Sequence, residues 1–227
     1  MKKIILITFV LLGIGIYWAI DNVLPYAAIK RPHFVANWKK EGLNIEPLAV
    51  QNDSIRINTF LVRPNKEAKG TIILLHGIAN NHGCFEHFTP WLLDLGLNVV
   101  LLDLRGHGES SGEYCTFGYY EKVDLQRVID ALEQKGVKQP IGIFGVSLGG
   151  AIALQTLALD KRLRFGIIES TFNTYEKVVI EYGEDYLHFR SPAITHRALE
   201  KAGQIAHFDP FSVNPVLDCQ NIDVPMF

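Results

Sequence analysis

Four short apolar runs, residues 71–75, 98–102, 141–144 and 165–168, are continuous rather than alternating. A strand of that kind is buried on both faces, which requires helices above and below a mostly parallel sheet. Helical patterns do lie between the runs. Phe85, Phe88, Trp91, Leu92 and Leu95 share one helical face up to Gly96, and Leu125, Val128, Ile129 and Leu132 do the same before Gly136. Strand and helix alternating at this spacing predict a doubly wound α/β domain. Ahead of it, residues 45–51 and 55–62 alternate apolar with polar around Asn52-Asp53-Ser54, the pattern of an antiparallel hairpin.

The chemistry of the chain centres on Gly145-Val146-Ser147-Leu148-Gly149. A pentapeptide with three fixed positions is weak evidence alone, but this one follows the apolar run 141–144 and opens the apolar helix predicted over 148–159. Strand, sharp turn and helix are what a nucleophile elbow needs. In such a turn the serine is strained, and side chains two residues to either side would collide with the helix and strand, hence the two glycines. Ser147 Oγ then projects at the carboxyl edge of the sheet, and the Leu148 N–H at the helix start is free to donate to an oxyanion. The competing reading is a glycine-rich structural turn.

Two further segments agree: Leu75-His76-Gly77-Ile78 after one strand, and Asp103-Leu104-Arg105-Gly106-His107-Gly108-Glu109-Ser110 after the next. With the Gly145 to Gly149 elbow in the same order, the chain from about residue 45 onward resembles the α/β-hydrolase superfamily, in particular its serine-aminopeptidase and lysophospholipase-like branch. The motifs are specific for the superfamily, not for a substrate. The resemblance implies Ser147 as nucleophile, the Ile78 and Leu148 N–H groups as oxyanion hole, and neither metal nor organic cofactor. By the same pattern His76, His107 and Asp103 brace their loops rather than act in catalysis. His82 and His87, five residues apart, do not share a helical face and do not suggest a metal site.

Residues 4–20 carry no charge and follow Lys2 and Lys3. At 1.5 Å per residue such a helix reaches about 25 Å, the lower limit for crossing a bilayer. No small-x-small cleavage site follows directly, which favours a retained signal anchor over residues 1–20, with a cleaved signal peptide as the alternative. Lys30, Arg31, Lys39 and Lys40 beyond the run balance Lys2 and Lys3, so orientation stays open, an extracytoplasmic domain being favoured. Residues 21–44 read as a linker and 45–227 as the hydrolase domain. A net charge of −2, from 22 basic and 24 acidic residues, leaves no electrostatic footprint for nucleic acid. Three widely spaced cysteines offer neither a disulfide framework nor paired zinc ligands.

Between residues 172 and 215 the alternation lapses and aromatics interleave with charges, which suggests a small helical cap over the site. Those aromatics either wall an acyl pocket or simply pack the cap onto the body. In α/β-hydrolases the acid and then the histidine follow the serine, and the resemblance puts the acid after a strand beginning near Ile222. The chain is therefore expected to be an incomplete hydrolase domain lacking its C-terminal strands. Glu169 is the sole in-chain acid at a plausible strand end, and no in-chain histidine is well placed to partner it. Two functions follow as expectations. One is a membrane-anchored serine hydrolase that opens small-molecule esters, thioesters or small amides through an acyl-enzyme. The other is a non-catalytic hydrolase-fold binding module or inactive fragment.

Overall fold

The hairpin expected at the start of the domain is formed by β1 (Asn44–Asn52) and β2 (Ile55–Arg63), with Asn52 opposite Ile55. These and the other elements come from a computed structural model that describes residues 2–38, 41–137 and 139–227. The four continuous runs become β3 (Gly70–Leu75), β4 (Leu97–Leu102), β5 (Ile141–Val146) and β6 (Leu163–Glu169). The sheet runs β1-β2-β4-β3-β5-β6, and β3, β4, β5 and β6 are parallel, while β2 pairs antiparallel with β4.

Alternate side chains of each strand feed two separate cores, as the two-residue period requires. Ile73 and Leu75 pack with α4 (Glu121–Gln134) and α5 (Leu148–Leu159) on one face, through Leu125, Val128, Ile129 and Ile152. Ile72 and Leu74 turn to the other face and meet Phe85 and Leu92. The latter belong to a short 3-10 turn, His82–Phe85, and to α3 (Phe88–Asp94), rather than to one continuous helix. That break changes the expected helical face: Trp91 and Leu95 are exposed, and only Phe85 and Leu92 of the five residues named above are buried. By contrast α5 is buried at every position from Leu148 to Leu157, because helices and sheet surround it.

At the N-terminus α1 (Lys2–Asn22) projects from the body, each described large apolar side chain from Ile4 to Trp18 being more than half exposed, and its last turns are tied to the body by the bonds of Arg197 to Tyr17 and Asp21. Residues 21–44, expected as a linker, instead hold α2 (Leu24–Ile29), whose Pro25, Ala28 and Ile29 are buried. The segment is tied in by backbone: Cys115 N–H donates to the Ile29 carbonyl at 2.9 Å, and the Tyr175 hydroxyl donates to the Ala28 carbonyl at 2.9 Å. Further on, Trp38 is buried in the second core. The cap consists of α6 (Tyr175–Leu187) and α7 (Pro192–Ala206), capped by Thr174 and Ser191, followed by the single turn α8 (Pro215–Asp218). Residues 225–227 then run parallel along β6, with Ile168 N–H donating to the Phe227 carbonyl at 2.9 Å.

Candidate active site

β5 delivers the chain to Ser147, which takes φ 53° and ψ −112° before α5 begins at Leu148. An L-residue occupies that region only when its surroundings over-determine it. The surroundings here are backbone. A β-carbon on Gly145 would stand 2.3 Å from the Gly149 carbonyl oxygen, and one on Gly149 would stand 2.2 Å from that of Leu75. Both glycines of the motif thus allow contacts no other residue permits. Ser147 N–H donates to the Glu169 carbonyl at 2.8 Å, and the Thr171 hydroxyl donates to the Ser147 carbonyl at 3.0 Å. The end of β6 therefore fixes the elbow from the other side.

The loop after β3 lies against the same serine, since a β-carbon on Gly77 would come 3.6 Å from Ser147 Cβ. This brings Ile78, the next residue, to the site from one side while Leu148 opens α5 on the other. First-turn N–H groups of a helix have no partner within it. On the cap, burial raises the pKa of the Tyr182 phenol on α6, and the Ser147 side chain is among the groups that act on it in the opposite sense.

Three buried histidines surround the strand ends, and each is engaged elsewhere. His76 is held by Gly77, whose carbonyl lies 2.8 Å from its Nδ1, and its Nε2 accepts Leu104 N–H at 3.0 Å. His107 Nδ1 lies 3.0 Å from the Arg105 carbonyl, while its Nε2 is buried without a partner. Burial first, and for His76 the neighbouring His107 next, pull both rings down to about 4. They are neutral at pH 7. His82 Nδ1 lies 2.7 Å from Asp103 Oδ1.

Asp103 also accepts the N–H of His82 at 2.8 Å and of Glu109 at 2.9 Å, and the Asn58 amide at 2.9 Å. Burial raises its pKa, but the bonds from His82, Glu109 and Asn58 outweigh burial and hold the carboxyl well below the usual range. The Asp103–Ser110 loop is thereby locked to β2 and to the loop carrying Ile78. Glu169 serves the elbow through its carbonyl, and its side chain is exposed. Among the described residues no cluster of three or more His, Cys, Asp or Glu gathers to hold a metal ion.

Comparison with known proteins decides the family. The pattern of serine aminopeptidase, S33, matches residues 66–182, just over half of the chain. The chain belongs to the serine aminopeptidase S33 family, within the α/β-hydrolases. Over 99 residues this S33 chain is 38% identical to YqkD of Bacillus subtilis (strain 168), covering 43% of the chain and 32% of YqkD. It is 32% identical over 130 residues to YfhR of Escherichia coli (strain K12), covering 55% and 45% of the two proteins. With human monoglyceride lipase it shares 31% over 98 residues, 42% of the chain and 32% of the lipase. The chain spans about a third to a half of the length of the relatives it matches. An esterase of Pyrococcus furiosus superposes with a TM-score of 0.68 at 22% identity, covering 88% of this chain and 75% of the esterase, which establishes the fold. The S33 match takes in the elbow, the loop bearing Ile78 and the Asp103–Ser110 loop, and it stops within α6.

Proposed function

We propose that this S33 chain is the nucleophile-bearing part of a membrane-anchored serine hydrolase that cleaves carboxylic ester, thioester or small amide bonds through an acyl-enzyme on Ser147. The observation that carries the reading is the Ser147 backbone, strained at φ 53° and ψ −112° between two glycines in backbone contact. Such geometry has an evident use only if the serine must project alone at the mouth of the sheet. Ser147 Oγ attacks the substrate carbonyl, and the oxygen that becomes negative is met by the N–H groups of Ile78 and Leu148. The bond to the leaving group breaks as the carbonyl reforms, and water later releases the acid. The mechanism requires no metal or organic cofactor. Naming of one relative as a monoglyceride lipase and of a structural neighbour as an esterase supports ester chemistry.

The proton of Ser147 needs an acceptor, and His76, His82 and His107 are each bonded to other groups. That observation favours a second reading, a hydrolase-fold binding module without turnover. For the anchor, residues Ile7–Ile29 are long and apolar enough to cross a membrane by length and composition, and α1 stands exposed. We read it as a single-pass N-terminal anchor with the domain on the extracytoplasmic side.

A fluorophosphonate probe tests the nucleophile, because phosphorus is attacked as a carbonyl is. The expected result is one adduct, on Ser147, absent from Ser147→Ala. An adduct that survives the substitution moves the nucleophile elsewhere, and no adduct at all leaves the binding module.

A further inference from the structure

The apolar helix α1 does not end in a flexible joint. Two helical hydrogen bonds bridge its junction with α2: Val23 N–H donates to the Ala19 carbonyl at 2.9 Å, and Ala27 N–H to the Val23 carbonyl at 3.1 Å. Val23 itself keeps right-handed helical angles, φ −118° and ψ −53°. Beyond the junction α2 is rooted in the domain, with Pro25, Ala28 and Ile29 buried and the Ala28 carbonyl held by the Tyr175 hydroxyl. A second fixing point lies before the junction. The Arg197 guanidinium of α7 grips Asp21 at 2.6 and 2.7 Å and the Tyr17 hydroxyl at 2.7 Å, and stands 4.9 Å from the centre of the Tyr17 ring. Held on both sides of the junction, α1 is not free to swing about the domain.

The length of the apolar run turns this rigidity into an orientation. Residues 4–20 reach about 25 Å against a hydrocarbon layer of about 30 Å, so a helix crossing there has no length to spare. Its last turn, with Tyr17 and Trp18 more than half exposed, must stand at the bilayer surface, where such rings concentrate. Arg197, bonded to Tyr17, stands there too. Leu24 and Ala27 share one apolar cleft with Tyr186, Phe189 and Ile194, so the α6–α7 turn lies abreast of the first turn of α2. Leu24 is about 10 Å along the helix from Tyr17, and headgroups extend about 5–8 Å beyond the hydrocarbon on each side. The α6–α7 turn thus borders the headgroup layer. Tyr186 is 78% exposed on it and Phe189 51%. Arg190 is paired with Glu184, and Arg197 with Asp21, so this edge offers aromatic rings rather than net positive charge.

We propose that α1 is a rigid stalk, not a tether, and that it lays the α6–α7 turn, through Tyr186 and Phe189, in the headgroup layer of the bilayer it crosses. The surface so assigned is for a lipid interface, and it is held by aromatic partitioning rather than by anionic lipid. The inference rests on the reading of α1 as an anchor and is independent of the role of Ser147. Both fixing points, Val23 and Arg197, lie outside the 66–182 family match.

The full chain is reconstituted in phosphatidylcholine vesicles that carry a phosphatidylcholine probe with a diazirine either beside its headgroup or at the end of its acyl chain. After irradiation, adducts are mapped by mass spectrometry. The headgroup-side probe should label residues 185–190 and the end of α1, and the terminal probe only the middle of α1. Residues 130–136 should stay unlabelled, because the end of α4 lies at the opposite edge of the sheet from the cap. Adducts on α1 alone overturn the stalk and leave the anchor. Adducts nowhere on α1 overturn the anchor, and the stalk with it. Equal labelling of 130–136 and 185–190 overturns the orientation. In a chain with Arg197→Ala and Gly-Ser-Gly-Ser inserted between Asn22 and Val23, the stalk becomes a tether. Labelling of 185–190 should then fall to the level of 130–136 while α1 keeps its adducts; undiminished labelling would show that the turn finds the bilayer unaided, and overturns the role of the stalk. Added phosphatidylglycerol should change nothing, and labelling that depends on it overturns the assignment to aromatic rings.

Discussion

A β-carbon on Gly149 would stand 2.2 Å from the Leu75 carbonyl oxygen, so the first turn of α5 touches the end of β3 through backbone alone. This contact sets the height of Ser147 above the sheet and its nearness to the loop bearing Ile78. Gly149→Ala must push helix and strand apart, at a loss of about 3 kcal/mol, the upper end of overpacking effects. Gly136 is the control: its φ of 61° resists a side chain, but nothing lies within 4 Å of an added β-carbon. Gly136→Ala should lose only about 1–2 kcal/mol. Denaturant unfolding of the two variants measures the difference, and equal losses would remove the contact from the account of the elbow.

Strain at Ser147 predicts an opposition between stability and chemistry. The φ 53°, ψ −112° conformation carries about 1–3 kcal/mol of strain for a residue with a β-carbon. Glycine adopts it freely but gives up about 0.5–1 kcal/mol of unfolded-chain entropy in return. Ser147→Gly should therefore unfold later than the parent by about 1 kcal/mol, and Ser147→Ala, which keeps the β-carbon, should not. Both should lose fluorophosphonate labelling. A Ser147→Gly protein less stable than Ser147→Ala would show that the elbow is relaxed.

Much of this was legible in the chain because it is local. Continuous apolar runs announced all four parallel strands, and the glycine spacing around Ser147 announced backbone approaches so close that an added β-carbon would stand 2.2 and 2.3 Å from a carbonyl oxygen. Long-range pairings were not legible. His82 reads as an isolated loop histidine, yet its ring is buried against Asp103, 21 residues away. The four donors that converge on Asp103 come from three separate segments, and no spacing rule reports such convergence. Residues 21–44 look like a linker because their apolar residues show no period. Ile29 and Trp38 are nonetheless core, since α7 and β2 supply the rest of their surroundings. Trp91 and Leu95 failed in the opposite sense: their spacing fits a helical face, but α3 is too short to carry that face into the core.

Acid should destabilise the fold from the histidines first. His76 and His107 have no exposed surface, their rings lie 5.2 Å apart, and both titrate near 4 in the folded chain. The unfolded chain, with histidine near 6.5, therefore binds more protons between about pH 6.5 and 4. Their stabilisation is complete above that window and falls through it by about 1.4 kcal/mol per pH unit for each ring. Asp103 has the opposite origin and the same direction: its depressed carboxyl stabilises the fold above about pH 4, and this is lost as the pH falls further. Unfolding free energies at pH 7.5, 6, 5 and 4 should decline, and His107→Gln should remove about half of the slope between 6.5 and 4. An unchanged slope would assign the acid response to other groups.

The N-terminal boundary of the folded unit can be located by truncation. α1 contributes an exposed apolar surface, so the intact chain should require detergent and resist extraction by salt or alkali. Removing residues 1–22 takes away that surface while leaving α2 in place, and the remaining chain should be soluble and folded. The cut also removes Asp21 and Tyr17, the partners of Arg197, but the Asp21 pair is partly exposed, and such pairs contribute about 1 kcal/mol or less. Beginning at Asn44 is a different matter. That cut also deletes Ala28, Ile29 and Trp38 from the two cores, where a fully buried large side chain is worth about 1.5–3 kcal/mol, and it uncovers the walls they packed against. It further removes the carbonyls that accept from Cys115 N–H and the Tyr175 hydroxyl, leaving two buried donors unpaired. The chain from Asn44 should aggregate or lose its cooperative transition. Equal melting of the two truncated chains would mean that α2 merely rests on the domain.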